Sequence, residues 1–365
     1  MLFFYKPIVE SHNIEKLDYY MVHFFENLFE NEPVLIDSLI HPEFIEIYNA
    51  HRTLIKEKLK SIHRNYLLLS ALEKFIIKKS FENNRQIENL CDGVVNPIKY
   101  EHIHISIRED LKSLLNNSWN LLINKHDDVN TKIKDKCGNI YEHYCELFRG
   151  RRQDFTICPV CGLEELLGET SVCYNINEDN VKRVREAYDH YFPKKIYPFI
   201  SLSFSNLIPI CHHCNSDYKH DYDTAYNDAT TQRQMVFYPF SDIGGGSDIS
   251  ASIANAENIV ELYNNDEWNI ELSTRTEDIN KIYSWNRLFL IDQRYKERIK
   301  LKEFVWLERL EDAVRNKPED KNWDEYKIEI YKEINLSNQS GAIAQKAYYD
   351  YFFENLLEGY LEEVT

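Results

Sequence analysis

Two pairs of cysteines have the most constrained chemistry in this sequence. Cys158 and Cys161 form the first pair and Cys211 and Cys214 the second, each with two intervening residues. Such a turn presents two thiolates to one ion, and zinc takes four ligands in a tetrahedron. The alternatives are four small buried side chains or two disulfides. Because no secretory signal is recognisable, the spacing favours a structural zinc site.

Polar residues of a second kind lie between and just after these pairs. Asp189 and His190 are adjacent, and Asn206 and Asn215 follow. A histidine near its ordinary pKa can take a proton from water, and carboxylate and amide oxygens suit Mg²⁺. Neighbouring residues of a strand point to opposite faces, so a shared site predicts a bend at this dipeptide. Alone, an Asp-His dipeptide is typical of a surface turn.

The complete series reads C-x2-C, D-H-x-x-P and N-L-x-P-x-C-x2-C-N-x-x-x-K. It resembles the HNH nuclease family, whose ββα-metal motif can carry a four-cysteine zinc site. The resemblance covers roughly residues 158–222. The spacer between Cys161 and Asp189 is longer than the family pattern. The amino-acid sequence around the motif also resembles that of HNH nucleases of bacterial anti-phage defence, including the Septu-type nuclease subunit.

The resemblance implies a role for each matching residue. His190 would be the general base that activates water. Asp189 and Asn215 would bind a catalytic Mg²⁺ or Mn²⁺. Asn206 would hold the loop and orient the base, and Lys219 could contact a phosphate. The four cysteines would bind the structural zinc.

Basic residues lie close to this motif along the chain. Arg151 and Arg152 precede the first cysteine pair, and Lys194 and Lys195 follow His190. Arginine and lysine commonly bind nucleic-acid phosphates, so these residues predict a substrate-binding rim. The alternative is an ordinary solvated face. The net charge of −17 argues against non-specific coating of DNA.

Composition and periodicity predict the fold class. With 10 glycines and 10 prolines in 365 residues, the chain favours helix over a turn-rich β structure. Apolar residues recur at helical spacing over 44–79, 105–123, 140–148 and 283–316, whereas 235–240 and 268–272 are typical of short strands. We therefore expect a mainly α protein with an embedded ββα-metal (HNH) module held together by a four-cysteine zinc, and a few short strands after it.

Three regions are predicted: N-terminal helices over 1–150, the module over 151–225, and strands then helices over 226–365. The expected function is metal-dependent endonuclease activity, on DNA more than RNA. The alternative is a zinc-stabilised nucleic-acid- or protein-binding module without catalysis. Acidic helical flanks predict docking to an ATPase partner, as the defence resemblance implies, or to further copies of the chain. No apolar run reaches membrane-spanning length, so a cytoplasmic location is expected.

Overall fold

Helices make up most of the part of the chain that can be described. The structure is a computed structural model and describes residues 1–8, 12–30, 35–123, 131–149, 157–168, 171–175, 180–240, 245–246, 248–254, 268–274, 279–334, 339–358 and 361. The α-helices in these ranges are α1 (Lys16–Glu30), α2 (Ile45–Ala50), α3 (Glu57–Leu67), α4 (Ala71–Asn84), α5 (Ile87–Cys91), α6 (Ile105–Ile123), α7 (Thr131–Cys137), α8 (Ile140–Arg149), α9 (Ile279–Phe289), α10 (Ile291–Arg315), α11 (Trp323–Lys332) and α12 (Ala342–Asn355).

Short strands pair two by two between the helical regions. They are β1 (Phe3–Phe4), β2 (Val172–Asn175), β3 (Asn180–Arg183), β4 (Tyr188–His190), β5 (Leu207–Pro209), β6 (Gly245–Gly246), β7 (Ile249–Ala254) and β8 (Asn269–Thr274). The pairs are β1 with β6, β2 with β3, β4 with β5 and β7 with β8, all antiparallel. The chain is therefore mainly helical with a few short strands, as the sequence predicts at this level.

The helix α6 has the bounds that its periodicity predicts. Its buried residues recur at helical spacing, with Leu111, Leu114, Leu115 and Trp119 on one face. A single apolar stripe of this kind packs a helix against a core on one side. In α6 the far end of that stripe, at Trp119, reaches the polar site described below.

Two predicted helices are each divided in the structure. The 44–79 pattern breaks before α4, where Ser70 and Glu73 form a capping box that starts a new helix. The 283–316 pattern breaks at Leu290, whose φ of 47° is left-handed and cannot continue an α-helix. The helical spacing of apolar residues continues across both breaks, so this spacing could not reveal them.

One of the two predicted strands is wrong. Residues 235–240 form no paired strand; their ladder contact is an isolated bridge between Tyr5 and Phe240. Pro239 has no backbone N–H, which weakens a ladder there. The other prediction, 268–272, falls in β8, which pairs along its whole length with β7.

Buried residues from all three predicted regions belong to one continuous hydrophobic core. The N-terminal residues and the helices α9 and α10 all contact the first cysteine turn. Leu2 N–H donates to Pro159 O at 2.8 Å, Trp285 Nε1 of α9 donates to Val160 O at 3.0 Å, and the Tyr295 hydroxyl of α10 donates to Cys161 O at 3.0 Å. The division into three regions stays a prediction. Among the described helices, none combines the length and apolar character needed to cross a bilayer.

Candidate metal centre and the polar site beside it

The four predicted zinc ligands converge on one point. The sulfur atoms of Cys158, Cys161, Cys211 and Cys214 all lie within 4.8 Å of one another, and all four residues are buried. The Cys158–Cys214 and Cys161–Cys211 sulfur distances are both 3.9 Å. Four sulfurs at about 2.3 Å from a zinc ion would stand about 3.8 Å apart in a tetrahedron. This spacing fits a metal ion and is far longer than a disulfide bond.

The first cysteine turn depends on a glycine. Gly162 has a φ of +64°, and its N–H donates to Cys158 O at 2.9 Å. A Cβ at this position would lie 2.7 Å from Cδ1 of Leu2, in addition to the cost of the left-handed backbone. The glycine therefore allows both the tight turn and the close packing of the N-terminal strand.

A buried arginine lies beside the cysteines. Arg294 of α10 donates from Nη1 to the Cys214 sulfur at 3.3 Å, and its guanidinium lies 4.2 Å from the centre of the Tyr218 ring. Burial raises the pKa of the Cys158 and Cys214 thiols, so full ionisation of the cluster needs cationic compensation. A zinc ion and Arg294 would together supply it.

Arg294 was not predicted from the sequence. Its position between the apolar residues Ile291, Tyr295 and Ile299 puts it on the buried stripe of α10. A cation within such a stripe signals a buried anionic partner. That signal could have indicated that the C-terminal helices contact the metal centre.

The second cysteine turn is joined to a strand pair and a short helix. β4 and β5 pair with Asp189 opposite Ile208 and His190 opposite Leu207. The chain then enters a π-helical segment, His213–Lys219. Strand, strand and helix therefore follow one another in chain order, and the cysteine cluster lies where the second strand meets the helix.

The predicted bend at the Asp-His dipeptide is absent. Asp189 and His190 both lie within β4, so their side chains leave opposite faces of the strand. The chain turns only after His190, where Tyr191 follows and its N–H donates to Asn206 O at 2.9 Å. The carboxylate and the imidazole consequently have different surroundings.

Asp189 is paired with Lys219 inside the protein. The Lys219 ammonium donates to Asp189 Oδ1 at 3.0 Å and to His190 O at 2.9 Å. Lys219 is 1 % exposed, which corrects the expectation that it faces a phosphate. Burial raises the pKa of the Asp189 carboxyl and Lys219 opposes that change. Asp189 Oδ2 is buried and has no hydrogen-bond partner among the described residues.

The His190 ring is held by a carbonyl and an indole. Its Nε2 lies 3.0 Å from Ser201 O, and its ring centre lies 4.7 Å from that of Trp119 in an edge-to-face arrangement. Because a carbonyl only accepts, Nε2 carries the proton and Nδ1 is the basic atom of the neutral ring. Burial, with Lys194 nearby, lowers the pKa of His190 to about 3.

Asn206 closes the loop between the strands. It is fully buried; its Oδ1 accepts from Phe192 N–H at 2.8 Å, and its Nδ2 donates to Phe192 O at 3.0 Å. The side-chain amide of Asn206 therefore forms with Phe192 the two hydrogen bonds that a backbone peptide group would otherwise form. Asn215 is half-buried on the 213–219 helix, and its N–H donates to Cys211 O at 3.1 Å.

The residues of the predicted basic rim have different surroundings, and the rim itself stays a prediction. Lys194 Nζ lies 5.5 Å from the centre of the Trp119 ring. Lys195 is exposed and forms an ion pair with Asp221. Arg151 and Arg152 lie outside the described residues. Trp119 and Ser201, which hold His190 from α6 and from the loop, were not predicted, since neither belongs to the motif.

Comparisons with protein-family models, with curated proteins and with solved structures found no significant match. The resemblance to HNH nucleases therefore rests on the motif residues alone. The structure itself defines a mainly helical protein with four buried cysteines positioned to bind a metal ion.

Proposed function

We propose that this protein is a metal-dependent endonuclease that hydrolyses phosphodiester bonds, of DNA more than of RNA. One observation carries the proposal. The motif's candidate base, His190, is held in a single tautomer at the end of a β-hairpin, and the helix bearing Asn215 follows that hairpin. The cysteine cluster fixes the junction between them.

His190 would act as the general base. The hydrogen bond from Nε2 to Ser201 O leaves Nδ1 free to take a proton from a water molecule that attacks phosphorus in line. A pKa of about 3 keeps the ring neutral, which a base requires, but also makes it a weak base. Substrate binding that brings phosphate charge close to the ring would raise this pKa and strengthen the base.

The donor atoms of the residues that the resemblance assigns to a catalytic cation are of the kind that such an ion prefers. Asp189 Oδ2 is a buried acceptor to which no residue in the described ranges donates, and Asn215 provides an amide on the next helix. These are hard oxygen ligands, as Mg²⁺ and Mn²⁺ prefer. When bound, the ion would stabilise negative charge on the leaving oxygen.

Lys219 and Asn206 would position Asp189 and His190. Lys219 contacts the carboxylate of Asp189 and the carbonyl of His190, so it fixes the strand that carries both. Asn206 holds the chain just beyond His190 through Phe192. The metal bound by the four cysteines would be a structural zinc that stabilises the fold.

A partner would present the substrate. A chain with a net charge of −17 repels nucleic acid at long range, so the isolated protein should bind duplex DNA weakly. We extend the proposal to an assembled state, either with an ATPase, as in the defence nucleases that the motif resembles, or with further copies of the chain.

The test is cleavage of plasmid DNA and of RNA, with and without Mg²⁺ or Mn²⁺. His190→Ala should lower the cleavage rate by about 10² to 10⁴, the usual contribution of a positioned base, while zinc content and thermal stability are kept. His213→Ala, which removes an exposed histidine of the same region, is the control and should cleave normally.

A second variant separates base from metal ligand. Higher concentrations of Mg²⁺ or Mn²⁺ should partly restore the cleavage rate of Asn215→Ala, whereas no metal concentration should restore that of His190→Ala. Wild-type activity in the His190→Ala protein would overturn the mechanism. It would favour the competing class, a zinc-stabilised binding module that serves a larger assembly without catalysis.

A further inference from the structure

A polar cleft of about 410 Å³ lies on the α6 side of His190. Its volume is in the ~300–1,000 Å³ range typical of ligand sites. One wall is the outer face of α6 and the other is the loop after Pro193. The residues that matter for the argument are Lys112, Asn116, Asn117, Lys194, Lys195 and Ser201. No residue of the cysteine cluster takes part.

The cleft adjoins the candidate base directly. Ser201, which lines it, provides the carbonyl that accepts from His190 Nε2. Trp119, on the same helix as Lys112, packs edge-to-face against the His190 ring, and Lys194 lies over the indole. A ligand in this cleft would therefore be within one or two side chains of His190.

Positive charge in the cleft is incompletely neutralised. Three lysines and one carboxylate, that of Glu109, line the cleft, and one of the lysines, Lys195, forms an ion pair with Asp221. Within the described part of the chain, Lys112 and Lys194 form no ion pair; Lys112 lies over the ring of Tyr100 and Lys194 over that of Trp119. Burial and the neighbouring Lys195 lower the pKa of Lys194 to about 8. The Asp221 carboxylate is near enough to oppose part of this fall in the pKa of Lys194. This site would bind an anion, although the chain as a whole is acidic.

The other polar groups narrow the kind of anion. Asn116 is exposed on the α6 wall, and its amide offers both a donor and an acceptor. Lysines together with amides suit a backbone phosphate with its attached sugar and base. Trp119 is only 6 % exposed, so stacking of a base on its ring is excluded.

We propose that this cleft binds the nucleic-acid strand next to the scissile phosphodiester, with Lys112 and Lys194 on a backbone phosphate and Asn116 on the adjoining sugar or base. This inference rests on the proposed function. It assigns part of substrate binding to the N-terminal helices, outside the motif residues.

The experiment measures binding without cleavage. A fluorescent single-stranded DNA oligonucleotide is titrated, with no divalent ion added, into the wild type and into a protein carrying Lys112→Gln and Lys194→Gln. Affinity should fall about tenfold or more. The slope of log K against log salt should become shallower by about 0.7, since both lysines contact one phosphate and each single-strand phosphate contact contributes about 0.7.

Two controls accompany the measurement. Lys78→Gln removes an exposed lysine of α4 outside the cleft and should change neither quantity. A protein with Lys112→Arg and Lys194→Arg should recover most of the affinity, because both positive charges are kept. A polyglutamate peptide is the second probe, and binding of it as tight as that of the oligonucleotide would overturn the assignment to nucleic acid.

The outcomes separate this inference from the proposed function. An unchanged affinity and salt slope in the double glutamine variant overturns the cleft assignment, even if the wild type cleaves DNA. Binding that depends on the two lysines, without cleavage under any metal condition when the protein is in saturating excess, supports the cleft and overturns the nuclease. Absence of both binding and cleavage at the highest soluble protein concentration overturns both.

Discussion

Lys219 donates to Oδ1 of Asp189 at 3.0 Å, and both side chains are buried. The pair joins the 213–219 helix to β4, which are separated by the loop containing Asn206. A lysine expected at the surface therefore contributes to the interior of the site. Its charge compensates a carboxylate that burial would otherwise favour in the protonated form.

Replacing Lys219 by methionine should destabilise the protein strongly. Removing one partner of a buried ion pair costs about 3–5 kcal/mol, because the remaining charge is uncompensated. The loss should depend on pH. Without the ammonium, the pKa of Asp189 in the folded protein rises further above its value in the unfolded chain. The loss of folding stability is therefore smallest near pH 4, where the carboxyl is protonated, and grows as pH rises through the raised pKa of Asp189. Chemical denaturation at several pH values measures it.

The control for Lys219 is a surface pair. Lys195→Met removes the exposed partner of Asp221 and should cost no more than about 1 kcal/mol, with little dependence on pH. A loss in Lys219→Met as small as that in Lys195→Met would contradict the buried pair.

Asn206→Ala should weaken the loop that follows His190. It removes the partner that the described part of the chain gives to the N–H and C=O of Phe192, at a cost of about 1–3 kcal/mol for each buried group. Asn206→Asp keeps the acceptor for Phe192 N–H and loses the donor, so its loss should be smaller if the carboxylate can be protonated. Hydrogen exchange at Phe192 measures the local effect, and exchange at the wild-type rate in Asn206→Ala would contradict it.

The sequence predicts the local parts of this site well and its surroundings poorly. Cys158 and Cys211 are more than fifty residues apart, yet each belongs to a turn whose spacing is local, so the pattern was sufficient. Trp119 and Arg294 contact the site from distant helices. The position of Arg294 in the buried stripe of α10 indicates a buried anionic partner without identifying it, and nothing local marks Trp119. Their positions are decided by packing of the whole core.

Arg294→Met should loosen metal binding without removing a ligand. The guanidinium beside Cys214 favours the ionised sulfur, and loss of such an outer contact typically lowers metal affinity about 10- to 100-fold. Zinc transfer to a chelator at increasing concentration, read by elemental analysis, measures it. Arg309→Met, an exposed arginine of the same helix, should retain zinc like the wild type. Purified protein that contains no zinc would overturn the structural metal itself.

Acid should destabilise the protein partly through His143. This buried ring lies 2.6 Å from the Tyr188 hydroxyl, and burial lowers its pKa to about 3. Between about pH 6.5 and pH 3 the unfolded chain binds a proton that the folded chain does not. Stability therefore falls with decreasing pH, by up to about 1.4 kcal/mol per pH unit from this group. His143→Gln should remove this contribution to the slope of unfolding free energy against pH, whereas His102→Gln, at an exposed histidine, should keep it. Equal slopes in the wild type and both variants would contradict the assignment to His143.

Lys194 should be the most reactive amine of the cleft. With a pKa of about 8 it is about half unprotonated at pH 8, whereas an ordinary lysine is less than ~1 % unprotonated there. Acylation at low reagent concentration, followed by peptide mass spectrometry, should therefore modify Lys194 about tenfold faster than Lys78, after partial burial is allowed for. Lys195→Gln should slow the modification, because removing the neighbouring charge raises the pKa of Lys194. A saturating oligonucleotide should protect Lys194 and leave Lys78 unprotected. Modification of Lys194 at the rate of Lys78 without the oligonucleotide would contradict the lowered pKa. A rate at Lys194 that the oligonucleotide leaves unchanged would contradict the cleft as a nucleic-acid site.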